Sequence, residues 1–278
     1  MKVKFFALCN TCSLLILLCF AETFAQSGVL LDGDYIQGGL VQGHSDRKIK
    51  SIFLNSKAVM VDDTGTFVFG FGRDAPPEQQ LKITFADGEV FEQTLNIRAR
   101  DYIEQRIDGL ANNKVTPNSD ALKRIRRESA EIRTARSEKG RRAFYARGFI
   151  WPVEGRITGV YGSRRILNGK PRRPHFGVDV AAPVGTAVKA PAAGKITYTN
   201  EDMYFSGGTI VLDHGHGLSS SFLHMSAISV SEGQVVEQGE VIGRVGATGR
   251  VTGPHLDWRM NWQGAYIDPQ LLPGPMRR

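Results

Sequence analysis

Residues 173–179 read Arg-Pro-His-Phe-Gly-Val-Asp, and residues 252–258 read Thr-Gly-Pro-His-Leu-Asp-Trp. In an extended strand, side chains two apart share a face, so His255 and Asp257 point the same way. His175 and Asp179 are four apart, but Gly177 and Val178 between them argue against a helix. In a strand that follows a bend, these two also point to one side. Two same-face His/Asp pairs on neighbouring strands are enough to surround one small cation. Zinc accepts His nitrogen and Asp oxygen at about 2.0–2.2 Å, and a catalytic site keeps one position open for water. His224, in Ser-Phe-Leu-His-Met-Ser over 221–226, joins the set. Each of the five alone reads equally well as a polar residue of a turn or strand end; together they do not. His214 and His216 lie in Asp-His-Gly-His-Gly over 213–217, where the glycines point to a tight turn.

Around these motifs, residues 148–278 are rich in Gly and Val and carry no helix-length periodic pattern. A weak internal echo runs through them. Pro183-Val-Gly-Thr-Ala-Val188 leads into Gly194, and Val236-Glu-Gln-Gly-Glu-Val241 leads into Gly243. Two such hairpin units predict a compact all-β domain with repeated strand pairs. A biotinyl-type carrier would leave the same echo, but no lysine here is flanked by methionines.

These motifs resemble those of the lysostaphin/LytM-type zinc metallopeptidases, which cut peptide cross-bridges in bacterial peptidoglycan. The resemblance runs from about Phe149 to Pro269. It rests on Gly-Val-Asp, Ala-Pro-x-Gly-Thr-x-Val, Asp-His-Gly-x-Gly and Thr-Gly-x-x-x-Gly-Pro-His-Leu. It implies a two-hairpin β fold with one zinc ion (Zn2+) in a groove. Residue by residue, it implies His175 and Asp179 as the first two metal ligands, and His224 and His255 as catalytic histidines. Met225 stands where the family usually has Leu. The departure is Asp257, where the family's third ligand is a histidine. A carboxylate is an acceptable ligand. Two negative charges weaken the metal as a Lewis acid, however, and leave room for another divalent ion.

The resemblance therefore implies an exported, metal-dependent endopeptidase that cuts peptidoglycan cross-links. The alternative is a catalytically degenerate LytM domain that regulates a cell-wall amidase or other envelope protein, or binds peptidoglycan without cutting. Arg164 and Arg165, after Tyr161-Gly162, suit substrate carboxylates because guanidinium binds them bidentately; solvated loop arginines are the plainer reading. Trp258 lines the groove or packs in the core.

Upstream, residues 26–113 read as short strands joined by turns. Phe67-Val68-Phe69 follows the turn-like Asp62-Asp63-Thr64-Gly65, and Leu81 to Phe85 alternates before Asp87-Gly88. Such spacing predicts an immunoglobulin-like β-sandwich. Its His44 reads as a lone surface residue. Between the two β regions, residues 114–147 form a basic helical linker, with a helix predicted over 117–139. Pro117 suits its first turn, with Thr116 or Ser119 as N-cap. Leu122, Ile125, Ile132 and Ala135 leave a thin apolar stripe, and few ideal ion pairs are visible. The helix is either an arm that holds an acidic polymer or a solvated linker packed on one side.

The first 25 residues read as a secretory signal peptide. Lys2 and Lys4 precede an apolar run from Phe5 to Phe20, and Thr23-Phe24-Ala25 suits cleavage. The unbroken apolar stretch from Leu14 to Ala21 is too short to span a bilayer. All three cysteines, Cys9, Cys12 and Cys19, fall in this segment, so a mature chain has none and must bind metal through His, Asp or Glu. Leu18 is bulky for a lipid-attachment site. No other stretch is long and apolar enough to span, which places the mature chain in the periplasm or outside the cell.

The 278 residues carry 35 Lys+Arg against 28 Asp+Glu, a surplus that superficially suggests nucleic acid. Yet residues 114–147 alone hold 11 Lys+Arg against 4 Asp+Glu. The excess belongs to one joint and not to a uniformly basic domain, which excludes nucleic acid and favours an acidic envelope polymer.

Overall fold

The computed structural model describes residues 28–138 and 140–276. The expected signal peptide lies outside the described residues. Seven strands open the described chain: β1 (Val29–Gly33), β2 (Leu40–Ser45), β3 (Ile49–Leu54), β4 (Lys57–Val59), β5 (Thr66–Gly70), β6 (Glu78–Phe85) and β7 (Val90–Asn96). They form two antiparallel sheets, ordered β1-β2-β5 and β4-β3-β6-β7. In β6 every second residue is buried, as period-two alternation requires of a half-buried strand. Its Leu81, Ile83 and Phe85 share one core with Phe67 and Phe69 of β5 and Val41 of β2. In a constant-type immunoglobulin domain the fourth strand lies in the same sheet as the fifth; here β4 pairs with β3 instead.

β8 (Glu104–Ile107) falls within the 26–113 segment read as sandwich, but it pairs elsewhere. It runs parallel to β10 (Arg164–Leu167), with Glu104 opposite Arg164, and β11 (Lys170–Arg172) completes that small sheet. No local turn signal announces this contact, because it joins strands some 60 residues apart in sequence. The sandwich is also pinned to the later region by polar contacts. Arg100 Nη1 lies 2.7 Å from the buried Asp268, whose backbone N–H donates to Gly38 O. Arg73 Nε donates to Gly162 O at 2.8 Å.

The linker holds a one-turn helix, α1 (Asn112–Val115), and the long α2 (Ser119–Ala135). The N-cap is Asn118, whose side chain accepts from Ala121 N, in place of Thr116 or Ser119. Ion pairs are better placed than the sequence reading allowed. Arg124–Glu128 (2.6 Å) and Arg127–Glu131 (3.6 Å) both span one turn. Glu128 is buried because Tyr204 N–H also donates to it, and Tyr198 Oη donates to Glu131. The helix is thus packed along one side. Among the described residues no helix is long and apolar enough to cross a membrane.

The remaining strands are β9 (Arg156–Gly159), β12 (Val178–Ala181), β13 (Ala187–Lys189), β14 (Gly194–Met203), β15 (Gly207–Asp213), β16 (Leu218–Ile228), β17 (Val235–Val236), β18 (Val241–Val245), β19 (His255–Trp262) and β20 (Ala265–Ile267). The main sheet runs β17-β14-β15-β16-β19-β12-β9. The two echo units pair with one another: β13 with β18, and the start of β14 with β17. Trp258 is fully buried and donates to Ser220 Oγ, so its role is packing.

The 213–217 turn has positive φ at Gly215, His216 and Gly217. Both of its histidines are buried. His214 bonds Ala193 O and Ser220 Oγ, while His216 bonds Arg141 O and Tyr145 Oη. They tie the end of the linker to the sheet. Burial pushes His214 down to about 4, so it stays neutral in the fold while an unfolded copy takes up a proton below about 6.5. Stability is therefore lost as pH falls from 7 toward 5, by about 2 kcal/mol for such a group. Asp213, raised to about 6 by burial, works the other way. Because His224 is pushed down to about 4 as well, melting temperatures across this range are expected to fall with acid.

Candidate metal centre

The site is built on three adjacent strands. β19 lies between β12 and β16, and its register sets Asp257 directly opposite both Asp179 and Leu223, next to His224. Two carboxylates opposed across a strand pair repel unless positive charge sits between them. His175 precedes β12 and is fixed by loop 160–163: its N–H donates to Ser163 O and its carbonyl accepts from Gly162 N. Its Nε2 lies 3.1 Å from Asp179 Oδ1 and 3.4 Å from Asp257 Oδ2.

Neither approach is a hydrogen bond. Both ring nitrogens of His175 and Oδ1 of Asp179 are buried without a partner. Donor atoms of these three residues all lie within 4.8 Å of one another. Tetrahedral ligands at about 2.0–2.2 Å from one ion stand about 3.3–3.6 Å apart. The orphaned atoms, their chemistry and their spacing fit a divalent cation held by His175, Asp179 and Asp257.

The electrostatics agree. Burial lowers the His175 pKa, but Asp179 and Asp257 outweigh it and raise the pKa overall. The field that holds a proton there also favours a cation. Burial would raise both carboxylates; for Asp257, Arg259 and His175 overcome it and hold the group well below the usual carboxylate range. For Asp179, His175 is the main opposing partner, with help from Arg165. Each acid therefore has its own arginine. Arg165 Nη2 donates to Asp179 Oδ2 at 2.7 Å, and Arg259 Nε donates to both oxygens of Asp257 at 2.9 and 3.1 Å.

His224 and His255 stand beside this set, with ring centroids 4.9 Å apart. His255 Nε2 is 3.7 Å from Asp179 Oδ1. The Nδ1 atoms face carbonyls, Thr248 O for His224 and Gly253 O for His255, at 2.8 and 2.9 Å. Nδ1 must therefore carry the proton, which leaves each Nε2 with a free lone pair. His224 has φ of 68°, a left-handed conformation that an L-residue adopts at a cost. It sits at a register shift in the β15–β16 ladder, a bulge that turns its side chain toward the site.

Two glycines make room for the carboxylates. A Cβ on Gly159 would lie 2.1 Å from Asp179 Oδ2, and one on Gly177 would lie 2.5 Å from Asp257 Oδ1. Gly159→Ala is expected to displace Asp179, weaken metal binding at least tenfold and cost about 1–3 kcal/mol. Calorimetric metal titration and thermal melts check this; unchanged affinity would remove Asp179 from the metal set.

The site opens into a cleft of about 930 Å³, and α2 supplies one wall through Ile125, Ser129, Ile132 and Arg133. Arg136, just past the helix, donates to Tyr266 Oη and Ser221 Oγ. Of the arginines read as substrate ligands, Arg165 is engaged with Asp179. Arg164 instead lines a separate crevice with Arg73 and Arg100 of the sandwich side. Sequence reading missed Arg259 and Arg250. Arg259 shares the strand parity of His255 and Asp257, and that signal was available; Arg250 lies in a loop and had none. Burial, then Arg165, Arg259 and Arg172, push Arg250 down to about 10.

Comparison with known proteins agrees with this geometry. Residues 173–269 match the model of peptidase family M23. The DD-carboxypeptidase/endopeptidase Mpg of Neisseria meningitidis is 40% identical over 44% of this chain and 29% of its own length. The peptidoglycan DD-endopeptidase ShyA of Vibrio cholerae is 36% identical over 45% of this chain and 30% of its own. The chain thus spans under a third of these curated relatives. The match to a solved structure is longer. A Pseudomonas aeruginosa protein described as a peptidase M23 is 31% identical, with a TM-score of 0.66, over 86% of this chain and 94% of that one. A site assembled from the family's own motifs, and a likeness that runs nearly the whole length of a solved relative, place this chain in peptidase family M23.

Proposed function

We propose that the protein is a metal-dependent endopeptidase that hydrolyses peptide cross-links of peptidoglycan. The observation that carries this reading is the convergence of His175, Asp179 and Asp257, with orphaned buried donor atoms, beside two histidines whose Nε2 lone pairs are free. The names of the curated relatives support the substrate class. His175, Asp179 and Asp257 would hold the ion, zinc or another divalent metal, which when bound polarises a scissile carbonyl and acidifies a water. His224 Nε2 would accept a proton from the attacking water and return that proton to the leaving amine, while the His255 Nε2 lone pair accepts a hydrogen bond from the same water and orients it. Their Nδ1–H bonds to Thr248 O and Gly253 O hold both rings in the required tautomer.

The same reading places the chain outside the cytoplasm. Residues 1–25 are its export signal, 26–113 a sandwich, 114–147 a linker and 148–278 the peptidase unit. A second reading, a non-cutting module that binds peptidoglycan or regulates an amidase, is favoured by one observation: both oxygens of Asp257 accept from Arg259. The test is metal analysis of the purified protein together with muropeptide release from sacculi. Zinc near one equivalent and chelator-sensitive release are expected. A protein that takes up no divalent ion and releases nothing ends the hydrolase reading.

A further inference from the structure

The cleft carries far more positive charge than the site beside it needs. Seven arginines line it against two carboxylates, Glu128 and Asp257, and both acids are already bound. Arg250 differs from Arg165 and Arg259 in having no acid of its own. Among the described residues its Nη1 reaches only Lys114 O, at 3.3 Å, while Nε and Nη2 donate to nothing. The guanidinium carbon lies over Phe205, 4.3 Å from the ring centroid, and the backbone N–H is tied to Phe205 O. Nearby Arg172 likewise spends its donors on carbonyls, those of Pro171 and Val115. Holding a half-buried guanidinium among other cations without a counter-ion costs stability, and such costs persist at sites that await an anionic ligand.

Its position relative to the chemistry is fixed. Arg250 follows Thr248 by two residues, and the Thr248 carbonyl orients His224. The turn between β14 and β15 contributes Phe205 under the guanidinium and Ser206, whose carbonyl accepts from His224 N. An anion gripped by Arg250 is therefore held next to the histidine that would take the water's proton.

We propose that Arg250, seconded by Arg172, is a specificity residue that reads a free carboxylate on the substrate peptide next to the scissile bond. A planar fork matches a carboxylate bidentately, and the Phe205 face keeps that fork in one orientation. The inference rests on the endopeptidase reading for its substrate class, but its test does not depend on turnover.

The experiment uses the full chain and two fluorescent peptides ending in D-alanyl-D-alanine, one with the free C-terminal carboxylate and one with the carboxamide. Polarisation gives the dissociation constants for wild type, Arg250→Gln and Arg250→Lys. Wild type is expected to favour the carboxylate by about tenfold to a hundredfold. Arg250→Gln should bring that ratio close to one, and Arg250→Lys should keep part of it as a point charge. The melting temperature of Arg250→Gln should hold or rise, since an uncompensated charge has been removed. Equal binding of both peptides by wild type overturns the proposal, as does selectivity that survives Arg250→Gln or a failure to bind either peptide. A protein that selects the carboxylate yet never cuts upholds this inference and refutes the hydrolase reading. One that cuts both peptides equally well does the reverse.

Discussion

Asp257→Ala is expected to destabilise the protein by about 3–5 kcal/mol, the cost of leaving a buried charge without its partner. Asp257 is 1% exposed and Arg259 is bound to it by a fork of hydrogen bonds. Removing the acid relieves its repulsion with Asp179, but that gain is smaller, because Asp179 keeps Arg165. For a chain of this size the loss corresponds to a fall in melting temperature of roughly 6–20 °C. Asp257→Ala combined with Arg259→Met should recover most of it, since the stranded charge is gone. Denaturant melts of the two single variants and the double variant measure the coupling; additive effects would show that the pair does not act as a unit. The same pairing bears on repair of the site. Asp257→His restores the family's histidine but sets an imidazole against the buried Arg259. The change is expected to yield a stable metal site only when Arg259 is replaced as well.

The second large effect is on catalysis. His224→Gly is expected to lower turnover of a cross-linked muropeptide by about 10²–10⁴-fold, the usual contribution of a positioned proton acceptor. Most substitutions that severe also weaken the fold, but this one should not. His224 holds a left-handed backbone, and glycine removes about 1–2 kcal/mol of that penalty, which offsets the lost packing. Metal content should be unchanged, because His224 is not among the three converging donors. Activity within threefold of wild type would assign the proton transfer elsewhere. Loss of bound metal would instead make His224 a ligand.

His255 and Asp257 were legible because strand parity is local, whereas His175, Asp179 and His224 were picked out by their short motifs and the family they resemble. His255 and Asp257 share a face by virtue of being two apart, and β19 carries them so. The same parity extends to Arg259, but an arginine in an apolar strand looks like a surface residue until the neighbouring strands bury it. Arg250 was illegible for a different reason. Its role depends on the approach of Phe205 and Lys114, far away in the chain, and no spacing within 246–254 encodes that. The helix was visible from its composition, yet its place as a wall of the cleft was not. That depends on Tyr198 and Tyr204 reaching Glu131 and Glu128. The sandwich strands followed from alternation and turn residues, whereas the parallel β8–β10 contact has no local signature at all.

The bond between Arg100 and Asp268 also orders assembly in time. Residues 29–96 lead the chain, and their two sheets pair only among themselves. Arg100 then waits 168 residues for its carboxylate. During this interval β8 has no β10 to join, and Gly38 O has no Asp268 N–H to accept from. The contacts that dock the sandwich are thus all long-range ones, which close only when the last strands are in place.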